Sequence, residues 1–278
     1  MARNPASKPR GPVHREPPCP ERWDASPCRP INKYWVFGED NQLVDIRQSC
    51  ACGRRFRITS LRVGHARGLL ELRGPLGSPA RDHPPDDTEL WEEDKETPLG
   101  KVGVVPVGTA VLHSPTQWFA GPAAELRGLA ARMQRTMSAA RGIGLAANQV
   151  GADVRMIAHD IPECAPSILV NPVRVSASGN VVRSEGCLSL NVPLAHGQVS
   201  RWRTVTIVAD LLDGRRVVLE ANEMLAKVIQ HELDHLDGIE YVQRTHGRVR
   251  EDVYSALESA NVDTQWLPVL GPETATAY

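Results

Sequence analysis

Residues 228–238 read VIQHELDHLDG, two histidines four apart inside a stretch otherwise apolar enough to be core. On an α-helix, side chains at i and i+4 lie one above the other, so His231 and His235 present two imidazoles toward one point, as a metal site requires. Glu232 is turned about 100° away around the helix, where it can handle a proton without ligating the metal. Upstream, Ala221, Met224, Leu225, Val228 and Ile229 form an apolar stripe that runs into the histidines, and Gly238 supplies a stop signal. The string alone leaves two readings open. One is a metal centre; the other is a partly exposed helix whose rings bond water or carbonyl groups, since HExxH strings also arise by chance. The stripe places both rings at the edge of the core, where an unpaired polar ring is costly and a metal would satisfy it.

A catalytic centre of the zinc type takes three protein ligands and leaves one position for water or substrate. The helix supplies two. SEGCLSL (184–190) offers the third in Cys187, set in a turn-like Glu-Gly-Cys context; the alternative is a buried structural cysteine.

Composition bounds what the chain does. With 278 residues, 41% of them hydrophobic, it is long enough for a packed core, and a formal net charge of −1 gives no global attraction to nucleic acid. Six scattered cysteines do not make a disulfide scaffold, the first twenty residues lack an apolar signal core, and no apolar run approaches membrane-spanning length. These features lead us to expect a reducing, cytoplasmic setting with no membrane contact.

The chain divides unevenly. Residues 1–32 are rich in Pro and Arg and are expected to be loosely ordered. Residues 33–80 predict a small β-rich extension, with strands at KYWVF and LVDIRQS around a GEDNQ turn, and with basic RRFRITSLRV following. RDHPPDDTELWEEDKETP, within an acidic linker over 81–98, carries eight acids and three prolines. Residues 99–262 predict one α+β domain. Leu126, Leu129, Met133 and Met137 mark an amphipathic helix, strands are expected at 154–160, 167–172, 204–210 and 215–220, and Asp213-Gly214 marks a hairpin between the last two. RVREDVYSALESA predicts a short helix, and residues 263–278 a flexible tail.

Three segments, GIGLAANQVG (142–151), EGCLSL (185–190) and QHELDH (230–235), resemble in order and separation the signature motifs of peptide deformylases. The resemblance covers about residues 100–250. It implies an α+β fold with antiparallel sheets around the central HExxH helix, to which this chain adds the N-terminal Cys-containing segment. It implies hydrolytic removal of the N-formyl group from the initiator methionine of nascent peptides; we expect a monomer, with the ribosome as a candidate partner. Cys187, His231 and His235 match the family's ligands for one divalent metal; the resemblance favours Fe(II), with Zn(II) as the alternative. Glu232 matches the proton-transferring residue, and Gln149 with the backbone N–H of Leu188 matches the groups that meet the oxyanion. Gly144 is expected where substrate backbone passes close, and Ile143, Leu188, Met224 and Val228 are expected to build the methionine pocket, although plain core would account for them equally.

The chain departs from the family pattern in places. After Ser189 the sequence LNVP delays Pro193 by two residues in a loop bordering the substrate groove, Lys227 falls where an aliphatic pocket residue is common, and Arg201 falls where the family often has a substrate-facing arginine. Two other classes of function remain on the sequence: an HExxH metallopeptidase, and a catalytically idle formyl-peptide binder with an N-terminal module in which Cys19, Cys28, Cys50 and Cys52 hold zinc and contact nucleic acid. An eight-residue gap followed by Cys-x-Cys is unlike paired zinc knuckles, so reduced free thiols are the default there.

Overall fold

The computed structural model describes residues 32–38, 42–49, 55–56, 103–161, 164, 167–190, 192 and 196–270. Within these the chain runs β1 (Asn32–Phe37), β2 (Leu43–Ser49), β3 (Arg55–Phe56), α1 (Arg127–Ala139), β4 (Gly144–Ala146), β5 (Met156–His159), β6 (Ile168–Ser178), β7 (Val181–Glu185), β8 (Gly197–Arg201), β9 (Thr204–Asp210), β10 (Arg216–Asn222), α2 (Glu223–Leu236) and α3 (Gly247–Ser259). Eight strands form one sheet in the order β3-β2-β1-β10-β9-β6-β5-β4, while β7 and β8 pair separately, and all these pairings are antiparallel. This is the expected α+β architecture. Leu225, Ala226, Ile229, Leu233 and Leu236 of α2 pack in one cluster with Tyr34, Val36, Val205, Ile207, Val217 and Leu219 of the sheet. Burying each large aliphatic side chain contributes roughly 1.5–3 kcal/mol, which offsets the cost of taking Glu232, Asp234 and His235 of the same helix out of water.

The predicted hairpin is present: β9 and β10 are joined through Asp213-Gly214, where Gly214 has φ +85° and the Leu211 N–H donates to Arg215 O at 2.7 Å. The helix at 127–139 forms and buries Leu129, Met133 and Met137. The strand expected at 167–172 continues instead to Ser178 through Asn171 and Pro172. A register shift between Val170 and Val173 lets proline sit where no ladder N–H is needed. Asn171, buried at φ +50°, holds this bulge: its side chain accepts from Phe119 N and donates to Phe119 O.

Two boundaries differ from the sequence reading. The described strands at the N-terminal end are not a separate unit, because β1 is inserted between β2 and β10 with five residue pairs to β10. Its two faces are both covered, Tyr34 and Val36 on the α2 side and Trp35 and Phe37 with Val208 and Val218 on the other. The tail also docks as far as residue 270: Leu267 is buried, Tyr254 Oη donates to its carbonyl, and the Leu270 N–H donates to Gln243 O. Residues 1–31, the acidic linker 81–98 and positions 271–278 lie outside the described residues, as do Cys19, Cys28, Cys50, Cys52 and Pro193.

Because Phe37 is fully buried within the shared sheet, Phe37→Ala should destabilise the whole fold by about 3 kcal/mol or more. Urea unfolding read from a probe on α2 checks this, and a midpoint equal to that of the unsubstituted chain would make β1 an independent appendage.

Candidate metal centre and active site

The site is assembled where α2 meets the segment leaving β7. Helical spacing sets the His231 and His235 rings 4.9 Å apart, nearly perpendicular to each other. A bridge between Cys187 and Leu190 closes the turn that brings Cys187 Sγ to 3.2 Å from His235 Nε2. One ligand atom each from Cys187, His231 and His235 lie within 4.8 Å of one another. The three residues singled out in the sequence therefore converge.

The two rings are held by groups that the sequence reading did not assign. Glu185 Oε2 lies 2.9 Å from His231 Nδ1, and the carboxylate also accepts from Arg201 Nε at 2.8 Å and Nη2 at 2.7 Å. Burial pushes the Glu185 carboxyl up, but the Arg201 guanidinium more than reverses this and holds it well below the usual carboxylate range. An ionised Glu185 requires His231 Nδ1 to be the donor, which leaves Nε2 as the free ligand atom. Arg201 is in turn bonded through Nη1 to Asp234 on α2, at 2.6 Å, and Asp234 accepts a second fork from Arg244. Arg201 is thus buried structural support and does not face substrate: the two acids on either side of it fix its guanidinium inside the protein. On the other ring, His235 Nδ1 is 3.5 Å from Glu240 Oε1. Burial lowers the His235 pKa well below its ordinary value, so the imidazole is neutral.

Gln149 is oriented from both ends. Its Oε1 accepts from Ala146 N at 2.9 Å, which turns Nε2 toward Cys187 Sγ at 3.5 Å and Ser189 Oγ at 3.3 Å. The Ser189 N–H also points at Cys187 Sγ. Glu232 is 3% exposed with Oε2 unpartnered, and burial raises its carboxyl to about 7. Burial likewise pushes the Cys187 thiol up, because the thiolate has too little compensating positive charge. A thiol, two imidazoles and a buried carboxyl with an unpartnered oxygen form a donor set that a soft divalent cation would balance.

A cavity of about 550 Å³ opens onto this centre. Ile143, Gly144, Gln149, Leu188 and Val228 line it together with Cys187 and His231. Met224 does not: it lies on the first turn of α2, beyond the cavity wall, and is half exposed. Lys227 lines the cavity, as do Arg141 and His196, neither of which the sequence singled out. The motif glycines have a steric reason. A Cβ on Gly144 would stand 2.3 Å from Glu232 Oε1, and one on Gly186 would stand 2.5 Å from the His196 ring.

The family model described as polypeptide deformylase matches residues 102–251. The chain belongs to the peptide deformylase family. Peptide deformylase 2 of Gloeobacter violaceus is 44% identical over 148 residues, covering 51% of this chain and 78% of that protein. The peptide deformylase of Thermomicrobium roseum is 46% identical over 132 residues, covering 45% and 74%. Among solved structures, the Synechococcus elongatus peptide deformylase in complex with actinonin aligns with a TM-score of 0.55 and 34% identity over 60% of this chain and 91% of that one. The Thermus thermophilus enzyme aligns at 0.51 and 32% identity, over 57% and 93%. The chain is an enzyme, a metal-dependent hydrolase that removes the N-formyl group from nascent polypeptides.

The contact at Gly144 generates a test. Gly144→Ala forces the Glu232 carboxylate aside, and a displacement of about 1 Å should lower kcat about 100-fold. Deformylation kinetics alongside circular dichroism check this; a normal rate with an alanine in place would show that the contact is irrelevant to turnover.

Proposed function

We propose that deformylation in this chain uses Cys187 Sγ and the Nε2 atoms of His231 and His235 to hold one divalent cation, with Glu232, Gln149 and Leu188 as the catalytic groups. The observation that carries the reading is the approach of Cys187 Sγ to His235 Nε2 at 3.2 Å, with the Gln149 amide donating to the same sulfur. Fe(II) is the favoured ion on family grounds and Zn(II) the alternative, since one thiolate and two imidazoles suit both. When bound, such an ion supplies a Lewis acid that acidifies water and polarises the formyl carbonyl.

The residues then divide the work. Glu232 takes the proton of the attacking water and passes it to the leaving amine. The Gln149 Nε2–H and the Leu188 backbone N–H donate to the oxygen that becomes negative on attack. Glu185 and Glu240 act behind the two histidines, orienting their rings through the Nδ1 atoms. β4 is the terminal strand of the large sheet, so a formyl-peptide is able to lie extended along its edge near Gly144, with the methionine side chain between Ile143, Leu188 and Val228. The cysteine of the EGCLSL motif beside the HExxH pair favours deformylation over endoproteolysis. We further assign the chain as a monomer acting in the cytoplasm on peptides leaving the ribosome; no helix among the described residues is long and apolar enough to cross a membrane.

Glu232→Ala should lower formate release from formyl-Met-Ala-Ser by 10²-fold or more while metal content is unchanged. Formate release and metal analysis on anaerobically purified protein check both halves, and full rate in the alanine variant would remove Glu232 from the role.

A further inference from the structure

Two cations line the cavity with no carboxylate partner among the described residues. Lys227 is half-buried on α2, and Arg141 stands at the other wall beside Gly142. Neither forms an ion pair among the described residues. The acids lining the same cavity are Glu185, saturated by Arg201 and His231, and Glu232, which sits against Gly144 at the metal end. Among the described residues, the outer cavity therefore carries positive charge that no carboxylate offsets.

Arg141 occupies the left-handed residue that ends α1, at φ +53°, a place where glycine is favoured. Lys227 precedes His231 by four residues, so it shares the metal-facing side of α2 and lies about 6 Å farther out along the axis. An extended peptide rises about 3.3 Å per residue, so an offset of about 6 Å outward from His231 spans about two residues of substrate.

We infer that Lys227 and Arg141 select formyl-methionyl peptides with an acidic residue at the second or third position. The Lys227 stem packs beside the methionine while its ammonium meets the carboxylate, and basic residues there are repelled. This specificity rests on the deformylase assignment of the same cavity.

The test is kcat/KM at low salt for formyl-Met-Ala-Ser, formyl-Met-Glu-Ser, formyl-Met-Ala-Glu and formyl-Met-Lys-Ser. At least one acidic peptide should exceed the neutral one by on the order of tenfold, as two partly exposed pairs allow, with the lysine peptide lowest. Raising the salt to about 1 M, where screening acts within about 3 Å, should compress the differences. In the Lys227→Met, Arg141→Gly double variant, which keeps the lysine stem's bulk and suits the left-handed backbone, the acidic preference should fall to about twofold or less. Equal turnover of all four peptides, or an acidic preference intact in the double variant, overturns the inference alone. No turnover of any peptide overturns the deformylase assignment and this inference together.

Discussion

The centre depends on a buried chain of charge that runs from His231 through Glu185, Arg201 and Asp234 to Arg244. Buried ion pairs add little net stability, because desolvation consumes most of the Coulomb gain, yet removing one partner costs about 3–5 kcal/mol by stranding the other charge. The value of the chain is positional. It ties β7, β8 and α2 to one another through groups almost wholly out of water, and it fixes the tautomer and direction of a ring that would otherwise rotate. Cys187 follows Glu185 by two residues, so the same anchoring delivers the sulfur to the histidine pair.

The second constraint is steric. Strand β4 approaches α2 at Gly144, and the carboxylate of Glu232 fills the space that a side chain there would need. Apolar packing of α2 against the sheet supplies the stability that lets a helix bury two acids and a histidine, while the open edge of β4 leaves a place for an extended peptide. Fold, support and reactive groups are thus carried by short stretches of sequence that serve more than one purpose.

Much of this was legible in the residues. The spacing of His231 and His235, the apolar stripe ahead of them and the Asp213-Gly214 turn are local signals, and local geometry honoured them. What was missed depended on distant partners. Arg201 reads as a free cation until Glu185 and Asp234, sixteen and thirty-three residues away, are brought to it. Met224 fits the helical stripe, but the stripe continues past the edge of the cavity. The insertion of β1 into the large sheet was foreshadowed by the unbroken apolar run YWVF, which suits a strand covered on both faces, yet the choice of β10 as neighbour is a long-range pairing that no periodicity encodes. The docking of Leu267 rests likewise on the carbonyl bond from Tyr254.

The central claim is that one thiolate and two imidazoles share a single cation, and cobalt reports on it directly. Titrating the metal-stripped chain with Co(II) should give a thiolate-to-cobalt charge-transfer absorption that saturates at one equivalent and disappears in Cys187→Ser. The same absorption and stoichiometry in the serine variant would contradict the account, because the sulfur near His235 would then not be a ligand.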